Sequence, residues 1–380
     1  PLLMSGILLM LGRLKQLDPV IVGLTVALVV FGLIMLMSAT GPIGVQRSGD
    51  SLYYVKHQLL VGILPGMALF FLFALIDYRF WRALAFPSLV ITILLLISVY
   101  LPGIGMVFGG SHSWIKLGPI SFQPSELAKL TFLIYLSAWL ARRHEESSDP
   151  KSGVLPFFMA LGAVMLLLVL EPDTGSMAVV VGSSLLLYFM SGAPVVWFLG
   201  LGALGAGLVA LLIKLSPYRA ARFMTFLHPE LDPQGIGYHI NQAILAIGSG
   251  GFWGLGYGHS RQKYLYLPEV EADSIVAVIA EEMGFFVMMI LVAVFGALIW
   301  RCFKIARETN DRFGSFLAAG VGSWLGIQIL LNIASMSGLM PMTGVTLPFI
   351  SHGGSAMTVL LGAMGLVAGI PIRNAKRYGA

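Results

Sequence analysis

Long apolar runs separated by short polar segments constrain this chain more than any other feature of its sequence. A run of about 20 apolar residues can cross the hydrocarbon core of a bilayer as a helix. Because every backbone N–H and C=O needs an internal partner inside lipid, such segments must be helical. The sequence therefore predicts an all-α, polytopic membrane protein with about ten transmembrane helices. The predicted spans are 19–39, 59–76, 84–101, 125–141, 154–170, 175–190, 195–215, 274–300, 313–336 and 356–372.

Composition favours the same class of protein. Apolar residues make up 57% of the chain and charged residues 11%, with a mean hydropathy of +0.88. Soluble domains carry about 25% charged residues. The single cysteine, Cys302, excludes an internal disulfide framework. We expect one integral-membrane domain over 1–380, because no polar segment is long enough to fold separately.

The distribution of Lys and Arg predicts the orientation of the chain. Most of the 23 basic residues fall in the tails and in the connections on the side of the two termini. The positive-inside rule then places both termini in the cytoplasm, so the net charge of +5 indicates topology rather than a nucleic-acid partner. The opposite, extracytoplasmic side holds the Gly-rich and polar loops, where we expect recognition or chemistry. These loops are 40–58, 102–124, 171–174, 216–273 and 337–355.

Asp273 is the leading candidate for a functional residue. It ends the segment YLYLPEVEAD, where the polar loop 216–273 meets an apolar helix. With Ala277, Ala280 and Gly284 it would share one helix face, so its carboxylate should face a gap between helices. We expect this acid to face the surface and to contribute little to packing. The alternative, at even odds from the local pattern, is an acidic first turn that complements the helix dipole.

Three further segments carry candidate polar groups. In FQPSELAK, Pro124 and Ser125 predict a helix start, and Glu126 could pair with Lys129 at i, i+3. EPDTG (171–175) places two acids between apolar spans, where a plain turn is the usual explanation. TGVTLPFISHGGS (343–355) predicts an irregular segment entering the last span. Asn332, within the ninth span, is expected to join helices.

Loop 216–273 contains an arginine pair, an amphipathic segment and a glycine-rich segment. Arg219 and Arg222 share a face if their turn is helical, and such a pair could clamp a phosphate or snorkel at the interface. Tyr238–Ile247 predicts an interfacial amphipathic helix. The glycines of Gly248–Gly258 predict tight turns and close backbone approach, because a dinucleotide-binding spacing is absent.

These motifs, in this order, resemble the shape, elongation, division and sporulation (SEDS) family. The matching segments are FQPSELAK, EPDTG, YLPE-x-x-x-D with AEE soon after, and LPF-[IV]-S-x-GGS, and the resemblance runs from about Asp18 to Arg373. RQKYLYLPE, MTGVTLPF and YYVKHQ resemble the FtsW division branch more than the RodA elongation branch. The resemblance implies an inverting peptidoglycan glycosyltransferase that polymerises lipid II at the outer face of the bacterial cytoplasmic membrane, for septal wall synthesis.

The resemblance also assigns roles to residues. It implies Asp273 as the catalytic acid, which acts as general base, and Mg²⁺ or Mn²⁺ beside the pyrophosphate. The supporting candidates for substrate binding are Ser125, Glu126, Lys129, Glu171, Asp173, Arg219, Arg222, Glu282 and Ser355. The chain departs from the family at His57, Ser113, Val276 and His352, and Val276 puts the packing behind Asp273 in doubt.

Partners and rival functions follow from the same comparison. The family implies a class B penicillin-binding protein with one membrane helix as partner, within a set of division or elongation proteins. Small residues permit close helix approach, so we expect docking on the eighth and ninth spans, at the face formed by Ser315, Ala318, Ala319 and Gly322. An elongation polymerase, a lipid II flippase and a non-catalytic scaffold stay open as alternatives.

Overall fold

Helices dominate the computed structural model. It describes residues 16–101, 103–108, 111–117, 120–143, 149, 153–197, 207, 214, 217–228 and 235–375. In chain order the helices are α1 (Pro19–Ser48), α2 (Tyr53–His57), a π-helical turn (Gln58–Ile63), α3 (Leu64–Leu75), α4 (Tyr78–Ala83), α5 (Ala85–Ser98), α6 (Pro124–Arg142), α7 (Leu155–Leu170), α8 (Thr174–Met190), α9 (Pro217–Leu227), α10 (Ile236–Gly250), α11 (Ile275–Glu308), α12 (Arg312–Met336) and α13 (Gly354–Ala375).

The predicted spans correspond closely to these helices. Within the described residues, five segments are long and apolar enough to cross a membrane, and three shorter apolar helices accompany them. The seventh predicted span, 195–215, lies mostly outside the described residues. The five long spans are Pro19–Ser48, Tyr53–Leu75, Ile275–Glu308, Arg312–Met336 and Gly354–Ile372. The polytopic all-α class is confirmed.

The first predicted extracytoplasmic loop, 40–58, is mostly helical in the structure. Helix α1 continues to Ser48, and Gly49 ends it in a left-handed conformation with φ 71°. The next helix begins at Tyr53, so the connection is only four residues long. Polar residues in the last turns of α1 therefore extend the helix beyond the apolar run instead of forming a loop.

A small antiparallel sheet replaces much of the predicted loop 102–124. It consists of β1 (Gly105–Phe108), β2 (Ser111–Leu117) and β3 (Ile120–Phe122), in the order β1-β2-β3. Strand β3 leads directly into α6, where Pro124 occupies the first turn and needs no N–H partner. The sheet therefore determines where α6 begins.

Helices α12 and α13 form the centre of the bundle. Helix α12 packs against α6, α8 and α11, and α13 packs against α3. The expected partner-docking face on the ninth span is wrong, because Ala318 and Ala319 are 0% and 2% exposed. A Cβ on Gly322 would stand 3.0 Å from Cys302 Cβ on α11. Close approach by small residues thus occurs inside this chain.

Helix α11 is interrupted at Gly284, whose φ of 74° is non-helical. The glycine-rich segment after α10 fills this break. Leu255 N donates to Glu281 O, Gly256 N donates to Glu282 O, and Phe285 N donates to Gly251 O, each at 2.9 Å. Because these bonds satisfy the backbone groups freed by the break, the segment is built into α11. The prediction of tight turns and close approach in Gly248–Gly258 is confirmed.

Candidate active site

Asp273 lies immediately before α11, and Ser274 is the N-cap residue of that helix. Asp273 is only 6% exposed, so the expectation of a surface-facing acid is wrong. Its carbonyl oxygen accepts a 2.9 Å hydrogen bond from Asn332 Nδ2, which also donates to Val345 O at 2.7 Å. Asn332 thus joins α12 to two loops, whereas the sequence predicted a contact between two helices. The helix-face prediction fails at Gly284, because the break there ends the regular turn.

Two distant motifs meet at Asp273. Ser351 Oγ donates to Ala272 O at 2.6 Å, and His352 N donates to Glu271 O at 2.8 Å. Ser351 Oγ also accepts from Leu347 N at 2.8 Å. The segment 343–355 is therefore hydrogen-bonded to the backbone on the N-terminal side of Asp273. Such bonds fix the backbone beside Asp273 relative to the adjoining ends of α11 and α12.

The π-helical turn supports the same segment. Gln58 Nε2 donates to Ser351 O at 3.1 Å, and Gln58 Oε1 accepts from Gly353 N at 2.9 Å. His57 Nδ1 and His352 Nε2 lie 3.0 Å apart. Burial, and then the charge of His57, lowers the pKa of His352 to about 4. The two histidines that depart from the family are thus packed against each other beside the site.

Arg47, at the end of α1, is a cation that the sequence reading missed. Its Nη1 lies 3.0 Å from Glu271 Oε1, and its side chain is 57% exposed. Burial, and then the nearby Glu271, raises the pKa of Glu269, while Arg47 lowers it. No local motif marks Arg47, because its proximity to the site depends on the extension of α1 through the predicted loop.

Lys129 and Glu126 form a buried ion pair on α6. Their atoms Nζ and Oε1 lie 2.7 Å apart, and the two side chains are 3% and 8% exposed. The ammonium group also lies 5.7 Å from the centre of the Trp324 ring and 3.5 Å from Gln328 Oε1. The predicted i, i+3 pair is confirmed. Its cation is already neutralised by the adjacent carboxylate.

Helix α12 connects this ion pair to the Asp273 loop. Gln328 and Asn332 are one turn apart on α12 and donate to consecutive carbonyls, Thr346 O at 3.0 Å and Val345 O at 2.7 Å. A small cavity beside the ion pair is lined by Glu126, Gln328 and segment 346–349, among other residues. The motif segments of α6 and 343–355 therefore meet on one side of α12.

The EPDTG segment organises the ends of α6 and α8. Asp173 caps α8 by accepting from Ser176 N at 2.9 Å, and its other oxygen accepts from Ser125 Oγ at 2.8 Å. Gln123 N donates to Ser355 Oγ at 3.1 Å. Burial, and then Asp173, raises the pKa of Glu171 to about 8. These candidates meet in one cluster, and their contacts hold helices together.

The Glu282 carboxylate is buried and is bound by a lysine and a serine of this chain. Its carboxylate lies 2.8 Å from Lys263 Nζ, accepts from Ser38 Oγ at 2.7 Å and is 1% exposed. Glu281 accepts from Arg261 N at 2.9 Å. Both acids therefore fasten the segment after the glycine-rich turn onto α11. A role for Glu282 in substrate binding stays a prediction.

The remaining candidates are the arginine pair and the metal. Arg219 and Arg222 lie in α9, so the condition that their turn is helical is met, but their side chains fall outside the described residues. Within the described ranges, no group of three or more His, Cys, Asp and Glu side chains could hold a metal ion. A role for Mg²⁺ or Mn²⁺ stays a prediction.

Similar proteins share this architecture along nearly the whole chain. A family model described as "Cell cycle protein", whose name joins FtsW, RodA and SpoVE, matches residues 19–376. Stage V sporulation protein E of Bacillus subtilis is 38% identical over 95% of this chain and 97% of its own length. A protein named probable peptidoglycan glycosyltransferase FtsW of Nitrosomonas europaea is 38% identical over 96% of this chain and 95% of its own length.

Solved structures agree with this relation. A chain from a structure reported for "structural coordination of polymerization and crosslinking by a peptidoglycan synthase complex" superposes with a TM-score of 0.78 at 29% identity. The match covers 96% of this chain and 99% of that one. The rod shape determining protein RodA of Thermus thermophilus superposes with a TM-score of 0.69 at 27% identity, over 96% of this chain and 98% of its own.

Proposed function

Since this chain belongs to the FtsW, RodA and SpoVE family of cell cycle proteins, and is a peptidoglycan glycosyltransferase within it, we propose that Asp273 is the general base of its reaction. The observation that supports this role is the convergence of segment 343–355 and Asn332 on the backbone of residues 271–273. A residue whose backbone is held by such bonds can present its side chain to a substrate hydroxyl in a defined geometry. We infer that lipid II, the lipid-linked disaccharide, is the substrate.

The reaction then follows from the chemistry of the groups. Asp273 accepts the proton from the 4-hydroxyl of the acceptor sugar as that oxygen attacks the anomeric carbon of the donor. The new glycosidic bond forms while the bond to undecaprenyl pyrophosphate breaks, and the pyrophosphate leaves with the bonding electron pair. A single displacement inverts an α-linked donor into a β-linked glycan.

The leaving pyrophosphate needs cations in a medium of low dielectric constant. Lys129 is already paired with Glu126 at 2.7 Å, which supports a positioning role for this lysine. We propose Arg219, Arg222 and the half-exposed Arg47 as the groups that bind the anion. Guanidinium groups suit this task because they bind phosphate bidentately. Any Mg²⁺ or Mn²⁺ would add charge at the same place.

We propose a division role, two cytoplasmic termini in the inner membrane, and a class B penicillin-binding protein as partner. Similarity to a protein from a peptidoglycan synthase complex supports the partner. With the α12 face buried, the lipid-facing side of α11 is the candidate docking surface. It carries the exposed residues Phe285, Phe286, Met289 and Val292.

The test is gel analysis of glycan strands made from purified lipid II in detergent, where transport across a membrane plays no part. Asp273→Asn keeps the shape but cannot accept the proton, so we expect polymerisation to fall by about 10²–10⁴-fold with folding retained. Asp50→Asn is the control, because this acid lies on the connection after α1 and pairs with Lys56. Undiminished synthesis by Asp273→Asn would eliminate the general base. Wild-type protein that binds lipid II without polymerising it would favour the scaffold.

A further inference from the structure

A basic cavity lies between α4, α5 and α6, away from the candidate active site. Its volume is about 390 Å³, and Arg82, Arg142 and Arg143 line it. The lining contains no carboxylate among the residues that the structure describes. Arg82 and Arg142 alone bring two positive charges to this concave space, which suits an anion.

The rest of the lining is apolar and aromatic. Tyr135, Trp139 and Arg142 follow one face of α6 at i, i+4 and i+7, and Phe86 of α5 also lines the cavity. Phe86 is 67% exposed. The cavity thus combines a charged end with an aromatic flank. A free inorganic anion would use only the charged end.

The position of the cavity is at one end of the bundle. Tyr78, at the start of α4, stacks on Phe313 at the start of α12, with ring centres 6.2 Å apart. Asp273 lies at the opposite end of α11, and the regular part of that helix after Gly284 alone extends roughly 36 Å. The cavity therefore faces the membrane–water interface on the side of the α11–α12 connection. It cannot take part in the chemistry at Asp273.

We propose that this cavity binds the headgroup of an anionic phospholipid. The guanidinium groups would bind the phosphate, and the acyl chains would lie along the aromatic flank toward the bilayer. Basic pockets between transmembrane helices are suited to anionic headgroups, because fixed positive charges attract the phosphate. The arginines of the lining would then contact the phosphate, and its aromatic residues would contact the acyl chains.

The experiment measures lipid retention by the full chain in detergent, by native mass spectrometry. Phosphatidylglycerol and phosphatidylcholine with identical acyl chains are the two probes. Wild-type protein should retain phosphatidylglycerol preferentially, and Arg82→Gln/Arg142→Gln should lower that preference about tenfold. The charge-matched control is Arg79→Gln/Arg307→Gln, because both arginines are exposed and neither lines the cavity.

The variants and a phosphate competitor separate headgroup binding from an effect of net charge and from binding of free phosphate. Equal loss in the cavity and control variants would overturn the proposal, since it would show an effect of net charge alone. Displacement of the lipid by millimolar inorganic phosphate would also overturn it, because the site would then bind phosphate without the acyl chains. Arg82→Lys/Arg142→Lys keeps the charge and should keep part of the preference. If this lysine variant folds but shows none, a charged headgroup site is refuted.

Discussion

The buried pair of Lys129 and Glu126 leads to a prediction about stability and mechanism together. Lys129→Met removes the cation and leaves the Glu126 carboxylate buried, since the two side chains are only 3% and 8% exposed. Breaking a buried pair on one side costs about 3–5 kcal/mol. We therefore expect Lys129→Met to lower the free energy of unfolding by that amount. Adding Glu126→Gln removes the orphaned charge and should recover most of the loss.

An exposed pair in the same chain supplies the control. Lys56 and Asp50 are also 2.7 Å apart, but their side chains are 60% and 39% exposed. Solvent screening limits such pairs to about 0–1 kcal/mol. Lys56→Met should therefore leave stability nearly unchanged. Denaturant unfolding in detergent micelles measures the variants under identical conditions.

The same variants separate a structural lysine from a substrate-binding one. If Lys129→Met is no less stable than Lys56→Met, the argument from burial is refuted. If the double variant folds and polymerises lipid II at the wild-type rate, Lys129 neither binds substrate nor positions the site, and its role is only structural. If the double variant folds but has lost polymerisation, Lys129 binds substrate, and the positioning role is wrong.

Two further predictions concern the backbone and pH. Gly254 has φ 80°, and a Cβ there would stand 2.2 Å from Glu282 O. Gly254→Ala should therefore lower the free energy of unfolding, measured with denaturant, by more than about 2 kcal/mol. The control Gly41→Ala should be neutral or stabilising, because the space around Gly41 is open. Burial raises the pKa of Glu171 from 4.5 to about 8, so the folded state holds the proton more tightly and stability should fall as pH rises between these values. Glu171→Gln should flatten that profile, and a stability that rises with pH over this range in the parent protein would contradict the assignment.

Sequence reasoning located most of the helices because their signals are local. An apolar run of sufficient length predicts a span wherever it occurs, and Pro124 predicts the first turn of α6 by removing an N–H that needs no partner there. The Lys129–Glu126 contact was predictable for the same reason, since i, i+3 neighbours always meet on a helix. The motif resemblance added the role of Asp273, which the local pattern left at even odds.

Tertiary packing decided what local signals could not. The small-residue face of Ala318 and Ala319 could pack against a partner protein or against another helix of this chain, and the sequence pattern is the same in both cases. Only the positions of the neighbouring helices show that the face is buried. Arg47 reaches Glu271, 224 residues away, because α1 continues past its apolar run. Such contacts depend on distant segments, so no periodicity reports them.

The sequence by itself determined the membrane class, the helices and the motif residues, because hydrophobic length and helical spacing are properties of neighbouring residues. The tertiary structure alone decided that Asp273 is buried and held by segment 343–355 and Asn332. It also decided that Gly284 breaks α11 to admit the glycine-rich segment. The physical reason is that buried backbone groups must find partners, and those partners come from wherever the packed chain places them.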